Sequence, residues 1–186
     1  GGISLGTDSN PIINNVLISN NSAETAGGIF CSVNCHPYLT NATITNNSAT
    51  TAGGIYCSYA AEPTLNSSIL WNNTPQEIYF QDSNGANSIM ITYSDIHGGE
   101  AGIVTNDNGT VSWLEGNIDS DPLFVDPNNE DYNLLGGSPC IDTGDPASDL
   151  DPDGTRADMG AYYFHQEPDI YGCTNPYACN YDETAT

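Results

Sequence analysis

The sequence predicts an all-β solenoid, a parallel β-helix with coils of about 26 residues and an irregular C-terminal closing region, on three observations. Gly1 to Ala26, Gly27 to Ala52 and Gly53 to Ile78 align residue for residue with no gap between them. The punctuating residues keep their columns: glycine pairs at 1/2, 27/28 and 53/54, proline at 11, 37 and 63, asparagine pairs at 20/21, 46/47 and 72/73. Between them the apolar residues alternate. Ile3 and Leu5, Ile29 and Cys31, Ile55 and Cys57 face one way, while Ser4, Phe30 and Tyr56 face the other. A fixed period of this length marks units that bury their apolar faces only by stacking on a neighbour, and an alternation of two with β-branched enrichment marks short strands.

In each coil the glycine pair leads into a first strand and the proline into a second, whose inner face carries Val16 and Ile18, Ala42 and Ile44, or Ser68 and Leu70. Coils stacked at the strand spacing of about 4.8 Å put like over like. Ile3, Ile29 and Ile55 then form an aliphatic ladder, and the asparagines a hydrogen-bonded ladder at a bend, where Asn tolerates unusual backbone angles. Asn20, Asn46 and Asn72 also head N-x-S/T sequons, as do Asn41, Asn66 and Asn108, but a stacked bend column gives these residues a structural role first. The coils occupy residues 1–99, with a less regular one through Ser88 to Ile96. An insertion rich in Gly and Asn and a closing block ending in a strand from Met159 to Phe164 fill 100–164, a linker spans 165–170, and a cysteine-containing module occupies 171–186.

The GGIYC and TITNNSA segments resemble those of the right-handed parallel β-helix proteins of bacterial surfaces and secretomes, and GGI followed by NNSA is similar to repeats of polymorphic outer-membrane proteins. Downstream, DSDPLFVDP (Asp119 to Pro127), DYNLLGGSPCIDTGDP (Asp131 to Pro146) and DLDPDGTRADMGAYYF (Asp149 to Phe164) resemble the terminal region of such secreted proteins. The resemblance implies a right-handed solenoid, an extracellular or cell-surface location, and a terminal block that closes the solenoid ahead of an anchoring or sorting segment. YGCTNPYACNYDETAT (Tyr171 to Thr186) resembles the start of a GCT-x-P-x-A-x-N-Y module that usually continues to an acidic DDGSC. Its early stop, and a first residue at the first column of a coil, lead to the expectation that further chain or another subunit belongs to the molecule.

One basic residue, Arg156, stands against 24 acidic ones, for a formal charge of -23. Such a surface repels phosphate backbones and anionic headgroups, which excludes nucleic-acid binding, and no apolar run supports direct membrane insertion. It attracts divalent cations and basic partners, and leaves trypsin a single cleavage point. Six cysteines agree with an oxidising compartment. Cys31 and Cys57 share a column, at a Cα separation of about 5 Å that fits either a disulfide or a reduced ladder. Cys35 lies within reach of Cys31, and Cys173 of Cys179. Cys140 has no local mate, and the connectivity stays open.

Asp149, Asp151, Asp153 and Gly154 make D-x-D-x-D-G, in which alternate carboxylates converge on a hard cation such as Ca²⁺ and glycine allows the sharp turn. Thr155 offers a backbone carbonyl at the seventh position, but the twelfth is Gly160 rather than a bidentate Glu, leaving Asp158 as the late ligand. The alternative is a solvated turn. A polyuronate lyase needs an Arg or Lys base and cationic groups for its substrate, and only Arg156 exists. A glycosidase needs two facing carboxylates, and the acids of the clear coils, Asp8, Glu24, Glu62 and Glu77, share no column. His36, His97 and His165 are scattered and read as exposed turn residues.

Phe30 and Tyr56 in one outward column, with Tyr59 three residues on, suggest an aromatic strip for sugar rings, and Trp71 stands in the outward column of Ser19 and Thr45. Loops packed over these rings would leave a plain scaffold. The expected function is therefore a secreted or cell-surface scaffold with a structural or adhesive role, associating with itself or with further domains of a longer chain and possessing a possible glycan ligand. A carbohydrate-binding or polysaccharide-degrading β-helix is the alternative.

Overall fold

A computed structural model describes residues 1–82 and 85–166. The cysteine module, with Cys173 and Cys179, and most of the expected linker lie outside the described residues. Coil 1 holds β1 (Ile3–Leu5), β2 (Ile12–Ser19) and β3 (Ser22–Ala23), and coil 2 holds β4 (Ile29–Cys31), β5 (Tyr38–Thr45) and β6 (Ser48–Ala49). Coil 3 has β7 (Ile55–Cys57), β8 (Thr64–Asn66) and β9 (Ile69–Trp71), and coil 4 has β10 (Ile78–Phe80), β11 (Asn87–Thr92) and β12 (Asp95–Ile96). A partial fifth coil carries β13 (Gly109–Trp113). The strands form a four-stranded parallel sheet (β1-β4-β7-β10), a seven-stranded parallel sheet built on β2, β5, β8, β9, β11, β12 and β13, and a small β3-β6 pair. The fold is a β-solenoid, as the period predicted. It extends past residue 99, because β13 pairs in register with β11 (Asn87↔Gly109 to Ile91↔Trp113) and Asp95 bridges Ile118.

Left-handed corners set the polygon of each coil. Asp8, Asn34 and Ala60 have φ of 56°, 51° and 62°; Asn15, Asn41, Ser67 and Tyr93 have 50°, 48°, 48° and 45°; Asn20, Asn46, Asn72 and Gly98 have 57°, 54°, 58° and 84°. Each column repeats at the sequence period, and asparagine dominates because it enters this region at the lowest cost after glycine. The glycine pairs answer a different demand. A Cβ on Gly28 would stand 2.6 Å from the carbonyl oxygen of Gly54, and one on Gly27 would stand 2.7 Å from that of Gly53. Neighbouring coils come too close there for any side chain.

Inside, Ile29, Ile55 and Ile78 are fully buried beneath the partly exposed Ile3, so the aliphatic ladder runs through four coils. The fourth rung is Ile78 because the corner before it is three residues shorter than in the earlier coils, and the following loop restores the register (Ile91↔Leu65). The inner asparagines form the second ladder. Asn47 Oδ1 accepts from the backbone N–H and side-chain amide of Asn21, both at 3.0 Å, and Asn73 Oδ1 accepts from the same two groups of Asn47 at 3.0 and 2.9 Å. Their amides also reach the carbonyls of Ile18 and Ile44.

The closing block lies along the side of the solenoid, against the outer face of the seven-stranded sheet. Its antiparallel pair β14 (Phe124–Asp126) and β15 (Asp131–Leu134) packs with Cys140 and Met159 on Ile69 and Trp71. Polar seams reach several coils: Tyr132 Oη accepts from the amides of Asn20 and Asn46 at 3.0 Å, Asp145 Oδ2 accepts from Asn66 at 2.8 Å, and Gly160 N–H donates to the Ser67 carbonyl at 2.8 Å. The expected strand from Met159 to Phe164 is absent. Gly160 at φ 95° breaks the extension, and Ala161 N–H turns to Thr43 Oγ1. Among the described residues no helix is long and apolar enough to cross a membrane.

The two asparagine columns predict different mutational costs. Asn47→Ala strips donors and acceptors from a residue 1% exposed and should cost about 2–4 kcal/mol in urea unfolding. Asn46→Gly keeps the left-handed corner, loses one hydrogen bond to Tyr132, and should cost about 1 kcal/mol or less. Equal losses would refute the ladder as the stabilising column.

Candidate functional site

Among the described residues, concave regions flank the solenoid, and one of them is lined in part by the D-x-D-x-D-G loop. A cleft of about 480 Å³ separates the outer face of coils 1 and 2 from the closing block, lined on one side by Asn14, Asn15, Thr40 and Asn41 and on the other by Asp149, Asp151, Asp158 and Tyr163. The loop carboxylates are largely engaged with the chain itself. Asp153 Oδ1 accepts from the backbone N–H and hydroxyl of Thr155, and its Oδ2 from Gln166 N–H. Asp151 Oδ2 accepts from Asp158 N–H, while Asp158 holds the N–H groups of Asp142 and Phe164 at 2.6 Å each. Among the described residues no three His, Cys, Asp or Glu side chains gather into a metal-holding group. Of the expected set Asp149, Asp151, Asp153, Thr155 and Asp158, the carboxylates of Asp151, Asp153 and Asp158 accept from N–H groups of the chain, and Thr155 donates to Asp153.

The cysteines expected as disulfide partners are free thiols at Cys31, Cys35, Cys57 and Cys140, all buried. Cys31 and Cys57 stand in register inside the core, where the Cys31 side chain and burial hold the Cys57 thiol well above its ordinary range. Cys35 donates to the Gly6 carbonyl instead of turning to Cys31. Cys140 donates to Asp95 Oδ2 at 3.3 Å, which ties the closing block to coil 4.

The aromatic strip exists, with a different third member. Phe30, Tyr56 and Tyr79 stack at centroid distances of 5.3 and 5.6 Å, nearly parallel at 10° and 12°, and Tyr56 is 9% exposed against Ala26 and Ala52. Tyr56, in the middle, spends both ring faces on its neighbours, while Phe30 at the end of the stack also lines a recess with Ser4 and Ala23. Tyr59 stands apart at a left-handed corner, 40% exposed. Trp71 continues the outward column Ser19, Thr45 and passes it to His97, whose ring lies 4.4 Å away.

Beside that stack is another concave region, a cavity of about 470 Å³ whose walls include Asn72, Asn73, Gln76, Glu77 and His97. Glu77 ends the asparagine ladder. Its two carboxylate oxygens accept from the backbone N–H and amide of Asn73, doing what a further asparagine would have done at position 99, where Gly99 stands. Glu77 falls in no asparagine column of the sequence because it enters through the shortened corner. The missing ladder residue after Asn73 was the signal that another acceptor had to be present.

Residues 1–119 match the model of the right-handed β-helix region family. The chain belongs to the right-handed β-helix family. No curated protein and no solved structure matches it. The matched span ends where the partial fifth coil of this β-helix ends, which leaves the closing block outside the repeat.

Four carboxyls of the β-helix and its closing block are pushed up by burial: Glu77 and Asp95 to about 7, Asp158 to about 6, and Asp151 above its ordinary range. A raised carboxyl favours folding when protonated, so its contribution is complete below about pH 4 and is lost as pH rises through 6 to 7. Asp153 is held below its usual range by Gln166 N–H and the Thr155 hydroxyl, and its contribution is lost only in stronger acid. Unfolding by urea should accordingly show the protein more stable at pH 5 than at pH 8, by roughly 1–3 kcal/mol, with Asp95→Asn flattening part of the slope. A stability maximum at or above pH 8 would contradict these assignments.

Proposed function

We propose that this β-helix is a secreted or cell-surface scaffold with a structural and adhesive role, a stiff non-catalytic segment of an extracellular filament, stalk or surface assembly. The observation that supports this reading is the continuity of its columns. Ile3–Ile29–Ile55–Ile78 in the core and Asn21–Asn47–Asn73–Glu77 at the corner run along the solenoid axis, and the closing block braces several coils from the side. Bending such a rod separates in-register hydrogen bonds in every coil at once. An extracellular setting is consistent with the sole basic side chain being engaged: Arg156 donates to the Thr143 and Gly144 carbonyls, and its guanidinium carbon lies 5.7 Å from the Tyr93 ring centroid.

Electron microscopy of the full-length protein from its source should show ordered filaments or stalks built by self-association, and isolated short rods at high concentration would overturn the assembly role. Trypsin should leave the native chain intact and cut it once at Arg156 in urea; rapid native cleavage would show that the closing block opens.

A carbohydrate-binding reading has one favourable observation, the polar cleft that sets Asn14, Asn15 and Thr40 opposite Asp149 and the 42%-exposed Tyr163. Amides, carboxylates and a ring edge are the groups that orient sugar hydroxyls. On a polysaccharide panel, binding without release of sugar ends would support adhesion. Release of reducing or unsaturated ends would overturn the non-catalytic assignment.

A further inference from the structure

The closing block buries a carboxyl that the solenoid by itself would leave in solvent. In β9 and β12 successive residues point opposite ways: Leu70 and Ile96 belong to the core of the solenoid, while Ile69 packs outward with Cys140 and Met159 of the block. Asp95 pairs with Ile69 and continues the outward column Thr43, Ile69, Asp95, Ile118. It is nonetheless fully buried, with Oδ1 accepting from Ser120 N–H at 3.1 Å and Oδ2 from the Cys140 thiol at 3.3 Å. The charged groups set around it are acidic: Asp119 and Asp121 on the segment that leaves the fifth coil, and Glu77 on the corner before β10. Asp158 lies on the far side of the Cys140 thiol. Of the basic groups, His97 turns to Trp71 and Glu77, and Arg156 is held by the Thr143 and Gly144 carbonyls.

We propose that the closing block is a pH-operated latch, in which ionisation of Asp95 loosens the block from the outer face of the seven-stranded sheet while the solenoid stays folded. With the block lifted, Asp95 is a strand-surface carboxylate in water; with the block closed, burial raises its carboxyl from an ordinary 3.8 to about 7. Closure is therefore strongest below the ordinary value and weakens as pH rises through about 7, since only the open form carries the charge without desolvation. The other raised carboxyls do not operate the latch. Glu77 keeps its Asn73 partner within the solenoid, and Asp151 and Asp158 keep their partners within the block. Block and solenoid open separately because their apolar clusters are separate, joined at Ile69 and Trp71 and by a few bonds across the seam. Those bonds run from Asp145 N–H to Ser67 Oγ, from Gly160 N–H to the Ser67 carbonyl and from Ala161 N–H to Thr43 Oγ1. While they hold, the closed form stays the major one, and the latch sets the size of a small opened population.

The test is native-state hydrogen exchange of the wild-type protein from about pH 5 to about pH 8, with rates corrected for the intrinsic pH dependence of exchange. The Asp145, Gly160 and Ala161 amides, which span the seam, should lose protection about tenfold or more over that range. The Ile29 and Ile55 amides, bonded from coil to coil inside the solenoid, should change less. Asp95→Asn keeps an acceptor for Ser120 N–H without a titrating charge and should remove most of the dependence at the seam. Seam protection that is level across the range, a folded variant with the wild-type slope, or solenoid amides that lose protection in step with the seam would each overturn the proposal. Should the variant fail to fold, an NMR titration of the Asp95 carboxyl carbon in the wild-type protein decides. A midpoint that coincides with the loss of seam protection supports the latch, and one in the ordinary carboxylate range overturns it. None of these outcomes bears on the scaffold reading, which electron microscopy tests separately.

Discussion

Everything in this molecule depends on adjacent coils holding the same register, because one hydrogen-bonded ladder cannot slip without displacing the rest. Parallel strands separated by a full coil have no tight turn to fix their pairing, so the alignment must come from features that recur in every coil. Here two features do this. The left-handed corners give each coil the same polygon, and the inner asparagines bond coil to coil through side chain and backbone together. A slip of one residue would turn Ile29, Ile55 and Ile78 outward and put a side chain where the glycine pairs have no room for a Cβ.

A ladder of this kind needs an end. Each inner asparagine passes two donors to the next coil, so the last one leaves two buried donors that require an acceptor. Glu77 meets that requirement, and it does so in a coil whose corner has lost three residues. The shortened corner, the buried carboxyl and the neighbouring cavity therefore share one origin. Trp71 stacks on His97 because the outward column keeps its regular register past the corner, and His97 also lines the neighbouring cavity.

The solenoid was legible in the sequence because its period, its turn residues and its alternation agree, each set by local chemistry repeated at fixed spacing. The corner columns and the Ile ladder follow from that agreement directly. The closing block was recognisable as a unit, but its location was hidden, since Tyr132, Cys140 and Met159 meet the sheet through contacts with no periodicity. Asp149 to Asp158 shows the limit most plainly. D-x-D-x-D-G specifies a tight loop with converging carboxylates, and a cation or the loop's own N–H groups satisfy it equally well on paper. The folded chain adds what the motif does not specify: Asp153 accepts from Thr155 and Gln166, and Asp158 from Asp142 and Phe164.

The aromatic column and the acidic surface separate what a repeat displays from what it uses. Phe30, Tyr56 and Tyr79 recur outward, which in a strand reads as an exposed strip, yet stacking at 5.3 and 5.6 Å converts the strip into a third ladder parallel to those of isoleucine and asparagine. Repetition thus tends to be absorbed by the rod itself, since like residues one strand spacing apart are each other's nearest partners. Positions where the repeat fails are the ones with unspent chemistry. Glu77, Gln76 and His97 sit at such a break, and Asn14, Asn15 and Asp149 at the seam between repeat and non-repeat. In a solenoid, recognition is therefore to be sought at irregularities, and the regular columns account for stiffness.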